Sequence, residues 1–363
     1  MKDTWKEKWS EDLDFLKDNL IKKHKNLFFK INFYEFNEMI EKLKEEVDNL
    51  EYDDMKVEIS RIVAAVGDAH TSVLFPVNKY LPVKFYCFDD GVYIIKVSEN
   101  YNELLYKKVD YIEGIAIDEV LSDLSNIISH ENEFLLKAQL AKYLQAVDVL
   151  YGLYICNDKE EVKITVEGKE ISLNTVSPDK LKYIEVTKLP IYAKNSYSNY
   201  WFEKINDEIY IKYNSCREDG IKTLNEKINE TIDFINYNNI AKVTIDLRNN
   251  LGGDSTLIQP IINFIKGNDK INRKENLKII IGRETFSSAL LNAYEFKFDT
   301  NAEIIGEPSG GKPNCYGEIL KFTLPNSRFI VNYSTRYYKL IEDDTILALY
   351  PDINIQESIS DYY

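Results

Sequence analysis

Four short apolar runs, at 209–213, 243–247, 277–281 and 303–305, constrain this chain more than any other feature. They are rich in β-branched residues, and amphipathic stretches near 220–236, 256–266 and 287–297 lie between or after them. Runs this short suit strands covered on both faces, and the intervening spacing suits helices that cross from one strand to the next. The alternation predicts a parallel-rich α/β domain over 188–363. Residues 1–78 read as helical: Trp9, Leu13 and Leu16, then Met39, Ile40 and Leu43, then Ile59, Ile62, Val63 and Val66 recur at helical spacing. Ser10 is the expected first cap, with Glu11 and Asp12 in the turn after it. Between 79 and 187 the pattern changes. A strand at 91–97, a strand–glycine turn–strand at 109–117, a helix from Asp118, a helical insertion at 131–151 and a strand at 161–166 describe a β-rich module.

A chain of 363 residues has room for about two or three domains. Its formal charge of −15 argues against nucleic acid, whose phosphates demand a basic face. Cys87, Cys156, Cys216 and Cys315 lie far apart with no metal-ligand spacing and read as free thiols. No apolar run reaches the roughly 20 residues of a membrane helix. The start lacks the apolar core of a signal peptide, so a cytoplasmic location is expected, or an extracytoplasmic one if a leader has been removed.

Four segments carry chemistry. Thr285-Phe286-Ser287-Ser288-Ala289 follows an apolar run and opens a helix, which puts Ser287 near unpaired backbone N–H groups and the positive end of a dipole. Ser287 is there either as a cap or as a nucleophile. Asp246-Leu247-Arg248-Asn249-Asn250-Leu251-Gly252-Gly253 ends a β-branched run in paired glycines. That turn is either an ordinary connection or a place where backbone N–H groups meet an oxyanion. Gly67-Asp68-Ala69-His70-Thr71 sets one of only three histidines between small residues, which leaves its ring accessible. Gly306 to Asn314 begins like a phosphate loop. Pro313 stands where the magnesium-binding hydroxyl belongs, and nucleotide binding is rejected.

Together and in this order, the four segments resemble the S41 peptidase family of tail-specific (C-terminal processing) proteases and tricorn-core-like peptidases. Residues 246–253 are similar to its DLRxNxGG segment and 285–289 to its T-x-S-x-A/S nucleophile segment. Residues 306–312 are similar to GEPTxGK, and 67–71 to the DGHT segment of the branch that uses histidine. The resemblance covers about residues 50–355. It implies a crotonase/ClpP-like α/β catalytic domain, an N-terminal helical region bearing His70, and a divergent PDZ-like module. It also implies a serine peptidase acting on a peptide or protein substrate, with no metal or cofactor. Ser287 would be the nucleophile, and Gly252 or Gly253 with Ser288 the oxyanion hole. The base is His70, in need of little tuning, or Lys312, which would have to be desolvated. The chain departs from the family at Leu290, where an acid often follows the nucleophile, and at Ala69, where a serine orients the ring. Asp68 is too near along the chain to be the obvious replacement; Asp299, Glu307, Asp343 and Asp344 are candidates. A non-catalytic peptide-binding protein and a crotonase-type thioester enzyme are the rival readings.

Overall fold

A computed structural model describes residues 4–186, 189–220 and 222–362. The boundary expected at 187/188 and the second residue of the helix expected from Gly220 fall outside the described residues. The chain divides into two compact units, neither of them a continuous stretch. The first is Met1–Glu131, Leu136–Val186 and Tyr316–Tyr338; the second is Asn132–Leu135, Thr187–Cys315 and Lys339–Tyr363.

The first unit begins with helices Trp5–Lys23, Phe33–Glu46 and Tyr52–Ala64. Reciprocal capping boxes start two of them, Thr4 with Glu7 and Asn32 with Glu35. Thr4 therefore takes the role expected of Ser10, which lies inside the first helix. Trp9, Leu13, Leu16 and Leu20 form one buried stripe on that helix. They join Phe36, Ile40, Ile59 and Val63, together with Phe322, Phe329 and Val331 from the chain's return. The same return makes a three-stranded sheet in which Ile330–Lys339 lies between Ser72–Leu74 and Asn314–Thr323. Ser72 pairs with Asn332 and Leu74 with Ile330, antiparallel.

A second core in this unit lies under an antiparallel sheet ordered Val83–Phe88, Gly91–Val97, Lys108–Ile112, Glu161–Val166 and Lys169–Asn174. Ile115–Ala116 pairs back onto the third strand. Two of its hairpins turn on Glu113-Gly114 and Glu167-Gly168, all four residues at positive φ. Such two-residue turns match the right-handed twist of the strands they join. Val120 and Leu124 from helix Ile117–Ser125, with Leu144 and Val147, fill the same core.

The second unit is built on a six-stranded sheet in the order Ile353–Asn354, Glu303–Gly306, Leu277–Ile281, Lys242–Asp246, Glu208–Tyr213 and Tyr200–Ile205. Every neighbouring pair is parallel except the last. Helices Leu224–Tyr237, Gln259–Lys266 and Ser288–Asp299 contribute Ile228, Ile261, Ile265, Ala289 and Phe296 to one core with the strands' Ile211, Val243, Ile245 and Ile279. The first of these helices starts at Leu224, later than expected, because Thr223 and Glu226 form its capping box. The loops 247–253, 282–287 and 307–312 leave the carboxyl ends of three adjacent parallel strands. Open α/β sheets place ligands at that end.

Candidate active site

Ser287 stands immediately before helix Ser288–Asp299 with φ 53° and ψ −128°, and its side chain caps nothing. A β-carbon at that backbone angle costs on the order of 1–3 kcal/mol and persists only where the surroundings enforce it. The enforcement is visible. Thr285 Oγ1 accepts from the Gly282 N–H (2.9 Å) and donates to the Leu247 carbonyl (3.0 Å). The Phe286 N–H donates to the Asn250 carbonyl (3.0 Å), and the Gly311 N–H to the Thr285 carbonyl (3.2 Å). A strained serine between a strand and a helix is the backbone arrangement that nucleophile elbows use.

Both glycines of the 246–253 loop are required by space. A β-carbon on Gly252, at φ +98°, would lie 2.8 Å from Ser287 Cβ and 2.9 Å from Ser288 N. One on Gly253 would lie 2.1 Å from the Cys216 carbonyl oxygen. The Gly252 N–H already donates to Asn250 Oδ1 (2.9 Å), so what this residue offers is its missing side chain and not its donor. Among the described residues the backbone N–H groups of Gly253 and Ser288 donate to nothing. Ser288 Oγ ties the two together by donating to the Gly253 carbonyl (2.6 Å).

Beneath the loop lies a fully buried ionic hub. Asp246 accepts from Tyr210 Oη (2.6 Å), Lys212 Nζ (3.1 Å), and the Arg248 backbone N–H and Nε (2.9 Å each). Burial would raise the Asp246 pKa, but Lys212 and Arg248 hold it below the usual carboxylate range. Lys212 is shifted down, because burial outweighs the pull of Asp246. Arg248 continues outward to Glu357 (3.2 Å) and stacks on Tyr192, 4.2 Å from its ring centre. Glu307 is gripped by Arg283 at 2.8 and 2.9 Å and is shifted up by burial.

Lys312 is half-buried and makes no hydrogen bond or ion pair among the described residues. Its loop runs into strand Asn314–Thr323 and not into a helix, so the phosphate-loop likeness ends there.

In the first unit, His70 is only 3% exposed. The small neighbours Gly67 and Ala69 do not leave the ring open, contrary to expectation. Burial lowers its pKa, opposed by the Asp68 carboxylate and the Tyr316 backbone. Asp68 Oδ1 accepts the His70 backbone N–H (2.9 Å) and lies 3.9 Å from His70 Nδ1. Asp68 Oδ2 takes His24 Nε2 (2.9 Å), Thr71 Oγ1 (2.5 Å) and Ser334 Oγ (2.6 Å). Burial would raise the Asp68 pKa; the His24 bond, the His70 ring and the two hydroxyls hold it low. The acids considered as partners of the ring are engaged within the second unit: Asp299 with Lys266, Glu307 with Arg283, Asp343 with Thr345 and Asp344 with Asn314. His24 and Ser334 escaped the sequence reading, since they lie 44 and 266 positions from Asp68. The available signal was an aspartate two residues before a histidine in a turn, where it can accept that residue's N–H.

Among the described residues no group of three or more His, Cys, Asp or Glu is placed to hold a metal, and no helix is long and apolar enough to cross a membrane. No family model and no curated protein matches the sequence. Solved structures do. Mature CPAF complexed with lactacystin superimposes with a TM-score of 0.71 at 12% identity, over 98% of this chain and 95% of that one. Mature CPAF alone gives 0.69 at 12% identity, over 98% and 94%. The photosystem II D1 C-terminal processing protease aligns at 0.48 and 12% identity, over 96% and 93%. The chain has the mixed α/β fold of CPAF.

Proposed function

We propose that this protein is a serine peptidase of the S41 family, with Ser287 as nucleophile and His70 as general base. The observation that carries the reading is the backbone of Ser287: a strained, non-capping serine beside a glycine whose β-carbon would lie 2.8 Å from Ser287 Cβ. The fold shared with CPAF supports the same conclusion. The parallel sheet with its crossing helices supports a crotonase/ClpP-like catalytic domain. The antiparallel sheet of the first unit, whose end strands are Val83–Phe88 and Lys169–Asn174, supports a PDZ-like module that takes an extended peptide by strand addition.

Ser287 Oγ attacks the carbonyl carbon of the scissile peptide while His70 takes its proton. The oxyanion is met by the Gly253 and Ser288 N–H groups, with Gly252 leaving room for it. His70 then returns the proton to the departing amine, and water hydrolyses the acyl-enzyme by the reverse sequence. Burial keeps His70 neutral at physiological pH, the state a base requires. A lysine base would have to be stripped of water, and Lys312 is only half-buried.

Peptide-library hydrolysis by wild type, Ser287→Ala, His70→Ala and Lys312→Ala tests this, each followed against pH. Activity should vanish in the first two variants and survive in the third. The wild-type kcat/KM should rise with pH through a midpoint below the ordinary histidine value of about 6.5. Loss in Lys312→Ala with His70→Ala active would move the base to Lys312. No turnover by wild type, together with no labelling of Ser287 by a serine-directed phosphonate, would leave a peptide-binding protein.

A further inference from the structure

The Asp68 hub has more connections than a turn of five residues needs. Its two carboxylate oxygens accept four hydrogen bonds, which fills the acceptor capacity of the group. The donors come from distant parts of the first unit. His24 is the C-cap residue of helix Trp5–Lys23, Thr71 closes the turn itself, and Ser334 sits in strand Ile330–Lys339. His24 Nδ1 accepts the Asn26 N–H (3.1 Å), which leaves the ring proton on Nε2, facing Asp68. The Lys25 N–H donates to the Ser334 carbonyl (2.9 Å), so the same two segments are clamped twice.

We propose that Asp68 is a positioning residue for His70 and that His24 is its anchor, so that a second histidine serves hydrolysis without touching substrate. The proposal rests on His70 being the base. Three observations favour this over a purely structural hub. The carboxylate grips the backbone of the base itself, at the His70 N–H. Its charge lies 3.9 Å from the His70 ring nitrogen, close enough to bias protonation. No lysine or arginine pairs with Asp68 among the described residues, so its charge is not neutralised before it reaches the ring. Other ionisable groups near the turn are Lys30, whose Nζ would lie 3.2 Å from a β-carbon on Gly67, then Tyr316, Tyr338 with its partner Glu318, and Arg336 over the Tyr338 ring. A β-carbon on Gly317 would lie 3.8 Å from His70 Cε1 and 3.2 Å from the Tyr338 ring, so residue 317 borders both.

The chain has only three histidines, so each imidazole can be assigned by substitution and titrated by proton NMR. The experiment follows the His70 midpoint together with kcat and KM in wild type, Asp68→Asn, His24→Leu and His24→Gln. Asp68→Asn should lower the His70 midpoint by about 1 unit or more, because a nearby carboxylate raises it. It should also cut kcat roughly tenfold or more with KM nearly unchanged, the mark of an interaction that matters in the transition state. His24→Leu should lose a similar factor in kcat, and His24→Gln, which keeps a donor, should recover most of it. A folded Asp68→Asn whose His70 midpoint and kcat match wild type overturns the proposal. Should Asp68→Asn fail to fold, equal kcat in His24→Leu and wild type overturns it instead. If wild type hydrolyses nothing, the peptidase reading falls, and the NMR midpoint still decides whether Asp68 acts on the ring.

Discussion

Two buried aspartates organise the two units, and they do so with opposite chemistry. Asp246 is surrounded by basic side chains, Lys212 and Arg248, beneath the glycine loop. Asp68 is surrounded by two hydroxyls, a backbone N–H and a histidine. A carboxylate paired with lysine and arginine is held below the usual carboxylate range, which suits the role proposed for the loop, holding backbone donors still. A carboxylate held by neutral donors keeps its charge available to a neighbour, which suits the role proposed for His70 as the base. The difference teaches that burial of an acid does not tell its role; the charge of its partners does.

The largest expected effect breaks the second hub. Lys212→Met strands part of the buried Asp246 charge and should cost about 3–5 kcal/mol in urea unfolding, the range for breaking a buried pair. His24→Leu removes one neutral donor and should cost about 1–3 kcal/mol. Equal losses would end the distinction between the hubs. Next, Gly252→Ala forces a methyl group against Ser287 Cβ and Ser288 N. Turnover should fall by about 10²–10³, the range for a lost oxyanion donor, with KM far less affected.

Acid should then separate the units. The His70 pKa is lowered in the folded state, so the unfolded ring binds its proton first. The stability this group contributes is complete above about 6.5 and is lost as pH falls toward the folded value. Glu307 in the second unit is shifted up, so its ionisation costs stability that returns as pH falls. Hydrogen exchange at pH 5.5, corrected for intrinsic rates, should show amides of 72–74 and 330–334 losing protection relative to those of 242–246 and 277–281. Uniform loss across both sets would contradict the assignment. The smallest effect is expected from Lys312→Ala, which should leave kcat/KM within about threefold, since Lys312 has no partner among the described residues to lose.

Much of the second unit was legible in the sequence because its strands are short, apolar and regularly spaced. Leu277–Ile281 coincides with the expected run to the residue. The strands that escaped notice lack that signal. Tyr200–Ile205 is an edge strand with charged residues at its end, and Ile353–Asn354 is two residues long and exists only because Glu303–Gly306 offers an open edge. At the candidate site, Ser287 and the paired glycines could be singled out because their local pattern is their geometry. The surroundings of His70 could not. Burial of its ring and the partners of Asp68 depend on Ser334 and His24, which no local periodicity relates to a turn at 67–71.

The path of the chain has a consequence for how the protein is made. Residues 316–338 leave the second unit to complete the first, supplying Ser334 to Asp68 and the strand against which Ser72–Leu74 pairs. During synthesis the histidine turn emerges early, yet Ser334 and the strand that carries it follow more than two hundred residues later. Contacts of such separation form late, because the loop between them must be closed before they repay it. Ribosome-bound or truncated chains ending before residue 316 thus carry a complete Ser287 segment and an unfinished histidine turn.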